Sequence, residues 1–190
     1  MPDRERRAWS FLVIGALLGL SAGLVAWGGF PERATVATPS GATALTPVAA
    51  PVVGGIAPDF EAVTISGGGF RLQEARGRIV VLNFWATWCE PCRAEMPLLE
   101  SRSRTHESAG LTVVGVNFDE PAHLVSDFQA ELGLTFPIVL DPGARIQTLY
   151  QVLGYPTTFF VDRSGVIQFV HIGSMDEAQL DGYLREMGLG

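Results

Sequence analysis

The only two cysteines of this 190-residue chain lie three positions apart, in the segment Trp88-Cys89-Glu90-Pro91-Cys92. Two thiols this close can form a disulfide with each other, or they can supply half of a zinc site. They can also form a purely structural disulfide, but so short a loop restrains the unfolded chain little. The spacing therefore limits the chemistry to thiol redox exchange, metal binding or a structural cross-link.

A zinc site would need two further ligands besides Cys89 and Cys92. With no other cysteine in the chain, they would have to come from His106, His123 and His171, which are scattered without the spacing of zinc ligands. We therefore favour a redox-active dithiol that forms the disulfide Cys89–Cys92. We expect neither a metal nor another cofactor.

The sequence around the dithiol predicts a strand followed by a helix. Residues 79–85 form a nearly continuous apolar run, typical of a strand buried on both faces, and residues 91–104 suit a helix with Pro91 in its first turn. Cys89 would then lie at a helix N-terminus, where unpaired N–H groups and the helix dipole stabilise a thiolate and lower its pKa. Cys92 would lie one turn further in. We infer that Cys89 is the nucleophile that forms a mixed disulfide and that Cys92 resolves it.

Further strands and helices complete an α/β domain. A second apolar run at 111–117 forms, with the first strand and the intervening helix, a βαβ unit with a right-handed crossover. Apolar periodicity and turn residues predict a leading hairpin (60–65 and 70–72), helices at 124–132, 145–152 and 176–187, and strands at 136–140, 157–162 and 166–172. This order predicts a central mixed sheet flanked by helices.

The N-terminal part of the chain differs in composition from the rest. Residues 8–30 contain no charged side chain and are numerous enough to cross a bilayer as a helix. We predict a cytoplasmic N-terminus at 1–7, a single transmembrane signal anchor at 8–30, a flexible Pro/Ala/Thr-rich linker at 31–54 and one extracytoplasmic domain at 55–190. The alternatives for 8–30 are a cleaved signal peptide, whose apolar region is usually shorter, and a buried helix of the domain.

The active-site segment resembles that of a known group of proteins. Residues 84–93 (Phe-Trp-Ala-Thr-Trp-Cys-Glu-Pro-Cys-Arg) resemble the active-site segment of the thioredoxin superfamily. The resemblance is more specific to the TlpA/ResA/CcmG-like branch of that superfamily, and it is found in segments 57–60, 81–89, 95–97 and 155–159. The resemblance covers about residues 55–189. It implies a thioredoxin-like fold and the activity of a membrane-anchored, extracytoplasmic thiol-disulfide oxidoreductase.

The resemblance also implies roles for further residues. Pro156 is expected to be a cis-proline beside the dithiol, which leaves the backbone of Tyr155 free to pair with a bound peptide. Asn83 stands where thioredoxin has a buried acid, so the proton shuttle is expected to be an acid after the next central strand. Glu120 fits that position better than Asp119, and burial would raise its pKa. The alternative role for Glu120 is a cap on the following helix.

The function implied by the resemblance is the reduction of client disulfides outside the cytoplasm. Trp88, Glu90, Pro91 and Tyr155 are expected to contact the client protein. Electrons would come from a membrane thiol donor, and apocytochrome c would be a client during cytochrome c maturation. The alternatives are an oxidase or isomerase of extracytoplasmic disulfides, and a non-catalytic binding module with the thioredoxin fold.

Two other function classes fit the sequence poorly. The chain has a formal net charge of −7 and contains no lysine, and an acidic domain without a basic stripe argues against nucleic acid as a partner. A peroxiredoxin needs a proline seven residues and a threonine three residues ahead of its reactive cysteine. Leu82 and Ala86 occupy those positions ahead of Cys89.

Overall fold

The computed structural model describes residues 49–190, and a five-stranded mixed sheet lies at their centre. Its strands are β3 (Ile79–Trp85), β4 (Leu111–Phe118), β5 (Ile138–Asp141), β6 (Thr157–Val161) and β7 (Ile167–Ile172). They lie in the order β5-β4-β3-β6-β7. The pairs β3–β4 and β4–β5 are parallel, whereas β6 is antiparallel to both β3 and β7. The α/β class with a central mixed sheet is confirmed.

Four helices and a small second sheet surround this centre. The helices are α1 (Glu90–His106), α2 (Ala122–Leu132), α3 (Arg145–Leu149) and α4 (Glu177–Glu186), with 3-10 turns at Leu72–Ala75 and Pro142–Ala144. The second sheet is an antiparallel pair of β1 (Glu61–Val63) and β2 (Gly69–Arg71). Buried side chains of α1, α2 and α4 pack on one face of the central sheet, and those of α3 and the segment before β3 pack on the other.

Strand β3 is the middle strand of the central sheet, and every one of its seven residues is buried. Its side chains alternate between the two faces, as strand geometry requires. Val81 and Trp85 join the core beneath α1, whereas Leu82 and Phe84 join the core on the opposite face. The continuous apolar run therefore predicted both the existence and the limits of this strand.

The predicted helix at 145–152 is shorter in the structure. Helix α3 ends at Leu149, and the chain then turns sharply because Gln151 adopts a left-handed conformation with φ of 54°. The N–H groups of Tyr150 and Val152 still bond back to carbonyls of α3. The turn brings the chain towards Tyr155 and Pro156, where β6 begins.

The predicted membrane span at 8–30 lies outside the described residues. Within residues 49–190, no helix combines the length and the apolar character needed to cross a membrane. The end of the predicted linker is described, and it is bonded to the start of β7. Gly54 N–H donates to the Ile167 carbonyl (2.8 Å), and Ile167 N–H donates to the Gly55 carbonyl (2.9 Å).

Candidate active site

The two cysteines lie where the central strand β3 gives way to helix α1. Cys89 is the N-cap residue of α1, and its Sγ accepts a hydrogen bond from the Cys92 N–H at 3.3 Å. The two sulfur atoms form a disulfide, with the Cα atoms 5.3 Å apart. Pro91 occupies the first turn of α1. N–H groups there have no hydrogen-bond partner within the helix, so a residue that lacks an N–H does not disrupt it. The structure is thus the oxidised form of the predicted dithiol.

The two sulfur-bearing residues differ in their access to solvent. Cys89 is 5% exposed and Cys92 is 1% exposed, because Cys92 already points into the core beneath α1. In the reduced protein, N–H groups of the first helical turn face Cys89 and favour its thiolate. Both residues are buried, but Cys89 lines an open groove and Cys92 does not, so Cys89 is the sulfur that a partner can reach.

Pro156 lies next to the dithiol because β6 starts beside the end of β3. Thr157 pairs with Phe84, and the preceding Tyr155–Pro156 bond is cis. The Pro156 carbonyl accepts a hydrogen bond from Gly173 N–H (2.8 Å), which ties it to the end of β7. Among residues 49–190, the backbone of Tyr155 has no hydrogen-bond partner. It is therefore available to a peptide lying beside Cys89.

An open groove runs beside Cys89, and we call it the dithiol groove. It is lined by Trp88, Cys89, Glu90, Pro91, Leu153, Gly154 and Tyr155. Trp88 is 65% exposed and Leu153 is 100% exposed, so two large apolar side chains face solvent within one groove. The Trp88 and Tyr155 rings meet edge to face, with centroids 5.7 Å apart. The groove thus brings together all four residues that the sequence predicts to contact a client.

Tyr155 is held in this groove by contacts with helix α3 and with the end of strand β4. Its hydroxyl donates to the Gln147 side-chain oxygen on α3, and its ring also packs against Phe118. Burial raises the pKa of Tyr155, with smaller contributions from the charges of Asp141 and Glu120. Its hydroxyl therefore stays protonated and serves as a hydrogen-bond donor.

Glu120 has a different environment from the one that the sequence predicts. Its carboxylate is only half-buried and accepts three hydrogen bonds. Oε2 accepts from the Thr87 N–H (2.7 Å) and from Asn117 Nδ2 (2.8 Å), and Oε1 accepts from the Thr87 hydroxyl (2.5 Å). Asp119 points elsewhere and accepts from Gly143 N–H (2.8 Å). A proton-shuttle role for Glu120 stays a prediction.

Glu95 is the site residue that the sequence interpretation missed. It lies three residues after Cys92 on the buried face of α1, is 2% exposed, and neither of its carboxylate oxygens has a hydrogen bond of normal geometry within the described residues. Loss of hydration raises the pKa of Glu95 to about 7, although the nearby backbone of Met175 partly offsets this. The sequence does hold a signal for it, because Glu95 occurs at helical spacing between the apolar residues Cys92 and Leu99.

Asn83 is a buried amide on the central strand β3. Its Nδ2 donates to the Thr158 hydroxyl at 2.9 Å, and its Oδ1 has no partner among the described residues. An amide does not exchange protons at neutral pH, whereas Glu95 on α1 is a buried carboxyl.

The structure does not bring the three histidines to the dithiol. Among residues 49–190, no group of three His, Cys, Asp or Glu side chains is arranged to hold a metal ion. His171 instead forms a hydrogen bond with the Tyr183 hydroxyl at 3.1 Å.

Comparisons with known proteins agree with this geometry. A family model described as the AhpC/TSA family matches residues 53–170. The thioredoxin-like protein YneN of Bacillus subtilis is 44% identical over 128 residues, which cover 66% of this chain and 74% of that protein. The thiol-disulfide oxidoreductase ResA of Geobacillus kaustophilus is 37% identical over 135 residues, covering 71% and 78% respectively. Among solved structures, a putative thiol:disulfide interchange protein DsbE from Chlorobium tepidum superposes with a TM-score of 0.69 and 33% identity, over 73% of this chain and 99% of that one.

Proposed function

The chain belongs to the AhpC/TSA family and is a thiol-disulfide oxidoreductase with a thioredoxin-like fold, and we propose that it acts as a reductase of client protein disulfides. The observation that carries the proposal is the arrangement of Cys89 and Cys92. One sulfur lies at a helix N-terminus beside an apolar groove, and its partner lies buried behind it. Leu82 and Ala86, at the positions where a peroxiredoxin needs proline and threonine, argue against peroxidase chemistry.

The reaction that this arrangement supports has two exchange steps. The Cys89 thiolate attacks one sulfur of the client disulfide, forming a mixed disulfide and releasing the other client sulfur as a thiolate. Cys92 then gives up its proton and attacks Cys89 Sγ, which breaks the mixed disulfide and releases the second client thiolate. The two client thiolates take up protons. Two electrons pass from the dithiol to the client, and the Cys89–Cys92 disulfide of this structure is the product.

Glu95 is the group that we assign to proton exchange with Cys92. It lies one helical turn beyond Cys92 on the same face of α1, and its raised pKa of about 7 lets it both take up and release a proton near neutrality. When Glu95 is ionised, it opposes a second negative charge on Cys92. Proton transfer from Cys92 to Glu95 would therefore accompany the resolving step.

The predicted N-terminal organisation supports a location at a membrane. We propose a cytoplasmic segment at 1–7, an anchor at 8–30, a linker at 31–54 and an extracytoplasmic domain at 55–190. The resemblance to the TlpA/ResA/CcmG-like branch supports a membrane thiol as the electron donor. It also supports apocytochrome c, with its two cysteines for haem attachment, as a client in cytochrome c maturation.

The reduction potential of the Cys89–Cys92 couple tests the direction of electron flow. The full chain is equilibrated with defined ratios of reduced and oxidised dithiothreitol or glutathione, and the dithiol fraction is counted after alkylation. A potential of about −230 mV or lower supports a reductase, whereas a value near about −120 mV would identify an oxidant and overturn the proposed direction.

Single cysteine variants test whether the site is catalytic. Cys92→Ser leaves the attacking thiol without its resolving partner, so a client carrying a disulfide should accumulate as a mixed disulfide with Cys89. Cys89→Ser should trap none, because Cys92 does not line the groove in which a client would bind. Equal trapping by both variants would contradict the roles assigned to the two cysteines, and trapping by neither would favour the binding-module alternative.

A further inference from the structure

The carboxylate of Glu120 joins two separate parts of the chain. Glu120 follows the end of β4, whereas Thr87 lies in the turn between β3 and the cysteine helix, 33 residues earlier. Two of the three hydrogen bonds to Glu120 come from Thr87, one from its backbone and one from its side chain. The third comes from Asn117, the last residue of β4 that pairs with β3. We call this set of three residues the Glu120 clamp.

The clamp holds the residue that precedes the groove. The pairing of β3 with β4 ends at Trp85, so no strand ladder holds Thr87. Its N–H and hydroxyl are both used by Glu120. The next two residues are Trp88, which forms a wall of the dithiol groove, and Cys89, which attacks. Any shift of Thr87 therefore displaces both of them relative to Tyr155 on the opposite wall.

The donors around Glu120 suit an acceptor rather than a proton carrier. All three are neutral N–H or O–H groups, and a carboxylate is an acceptor on both oxygens. A proton on Oε2 would have to share that oxygen with two N–H groups that can only donate. This arrangement is different from that of Glu95, whose oxygens have no donor of normal geometry among the described residues.

We propose that Glu120 is a positioning residue that sets the width of the dithiol groove through Thr87 and thereby favours protein disulfides over small ones. A peptide segment must contact Trp88, Tyr155 and Cys89 together, so its binding depends on their spacing. A small disulfide needs only the sulfur of Cys89. This inference rests on the proposed reductase function, and it assigns to Glu120 substrate discrimination instead of proton transfer.

Two substitutions of Glu120 separate position from charge. In Glu120→Gln, the amide oxygen can replace Oε2 and accept both N–H groups, and the amide NH₂ can donate to the Thr87 hydroxyl, which is free to turn and accept. The variant keeps the clamp but loses the charge and the capacity to exchange a proton. Glu120→Ala removes the clamp altogether. Asp127→Ala, which removes an exposed carboxylate from α2, is the matched control for net charge.

The assay compares two substrates of the full chain, with dithiothreitol as the electron source. One is a synthetic peptide with an internal disulfide between two cysteines that are separated by two other residues, and the other is hydroxyethyl disulfide. We expect Glu120→Ala to lower kcat/KM for the peptide by about tenfold or more, mainly through KM, since small displacements at a reacting site have effects of this size. Its rate with hydroxyethyl disulfide, and both rates of Glu120→Gln and Asp127→Ala, should stay within about twofold of the parent.

Several results would overturn the inference. If Glu120→Gln loses activity with both substrates as Glu120→Ala does, the carboxylate acts through its charge or its proton. If Glu120→Ala reduces the peptide as well as the parent does, the clamp has no role in discrimination. A parent protein that reduces neither substrate would instead contradict the proposed function.

Thr87 supplies a second test that does not depend on the folding of Glu120→Ala. Thr87→Val removes the hydroxyl with little change of shape, whereas Thr87→Ser keeps it. We expect only Thr87→Val to raise KM for the peptide, and we expect its effect to be non-additive with that of Glu120→Ala because both disrupt the same clamp. Additive effects, or equal effects of valine and serine, would contradict the inference. Thermal unfolding of each oxidised variant shows whether it is folded in the assay.

Discussion

Replacing Glu95 by glutamine should change how the stability of the oxidised protein depends on pH. Burial raises the pKa of Glu95 from 4.5 to about 7 in the folded protein. The folded state therefore keeps a proton that the unfolded chain releases between these two values. Well below pH 4.5 the Glu95 carboxyl is neutral in both the folded and the unfolded state, so its ionisation does not lower the free energy of unfolding. As the pH rises to 7, the folded state becomes progressively less favourable, and above 7 the full penalty applies.

The size of this effect follows from the shift. Each pKa unit corresponds to about 1.36 kcal/mol, so the penalty amounts to about 3 kcal/mol at most. Glu95→Gln removes the ionisable group and adds only an offset that does not depend on pH. The free energy of unfolding of the variant, minus that of the parent, should therefore rise by up to about 3 kcal/mol between about pH 4 and about pH 8.

Urea titrations of both oxidised proteins at a series of pH values measure this difference. Taking the difference removes the contributions of other carboxylates, such as Asp162, whose hydrogen bonds with Ser164, Val166 and Gln168 lower its pKa. Glu90→Gln, in the first turn of the same helix, shows how much a change of net charge alone contributes. A difference curve that is flat, or that falls with rising pH, would refute the argument that burial controls the ionisation of Glu95.

Two further substitutions test the packing behind the site and the groove in front of it. Gly115→Ala should lower the free energy of unfolding by about 1–3 kcal/mol, since the new Cβ would lie 2.8 Å from Trp85 Nε1. Urea unfolding measures this loss. Gly69→Ala is the control, because a Cβ there meets nothing within 4 Å. Leu153→Ser should raise KM for a disulfide peptide with kcat unchanged, since the Leu153 side chain is fully exposed and lines the dithiol groove. Val63→Ser in β1, which also removes an exposed apolar side chain, is the matched control. An equal effect of both substitutions would mean that the groove does not bind the peptide.

The elements that carry the dithiol could be predicted from sequence because their signals are local. A nearly continuous apolar run predicts β3, and Pro91 two residues after Cys89 marks the start of a helix. The position of Cys89 at the N-cap then followed without any knowledge of the rest of the fold. The short loop and the asymmetric burial of the two sulfurs follow from the same two elements.

The acids of the site could not be assigned in this way, because their environments depend on distant parts of the chain. Glu95 looks like an ordinary helical glutamate until the loop with Met175, 80 positions later, covers it. The resemblance to the TlpA/ResA/CcmG-like branch makes Glu120 a candidate, but only the structure shows that Thr87 uses both of its oxygens. The sequence therefore indicates where Glu120 lies in the chain, but tertiary contacts determine what its carboxylate can do.

The asymmetry of the dithiol also constrains kinetics. Cys89 lines the dithiol groove, whereas Cys92 does not and is 1% exposed. Whatever reduces the disulfide and whatever the dithiol then reduces must therefore form their mixed disulfides with the same atom, in the same groove. The two cannot be bound together, so turnover follows a double-displacement scheme in which each partner leaves before the next arrives. At high concentration, each partner becomes a competitive inhibitor of the other.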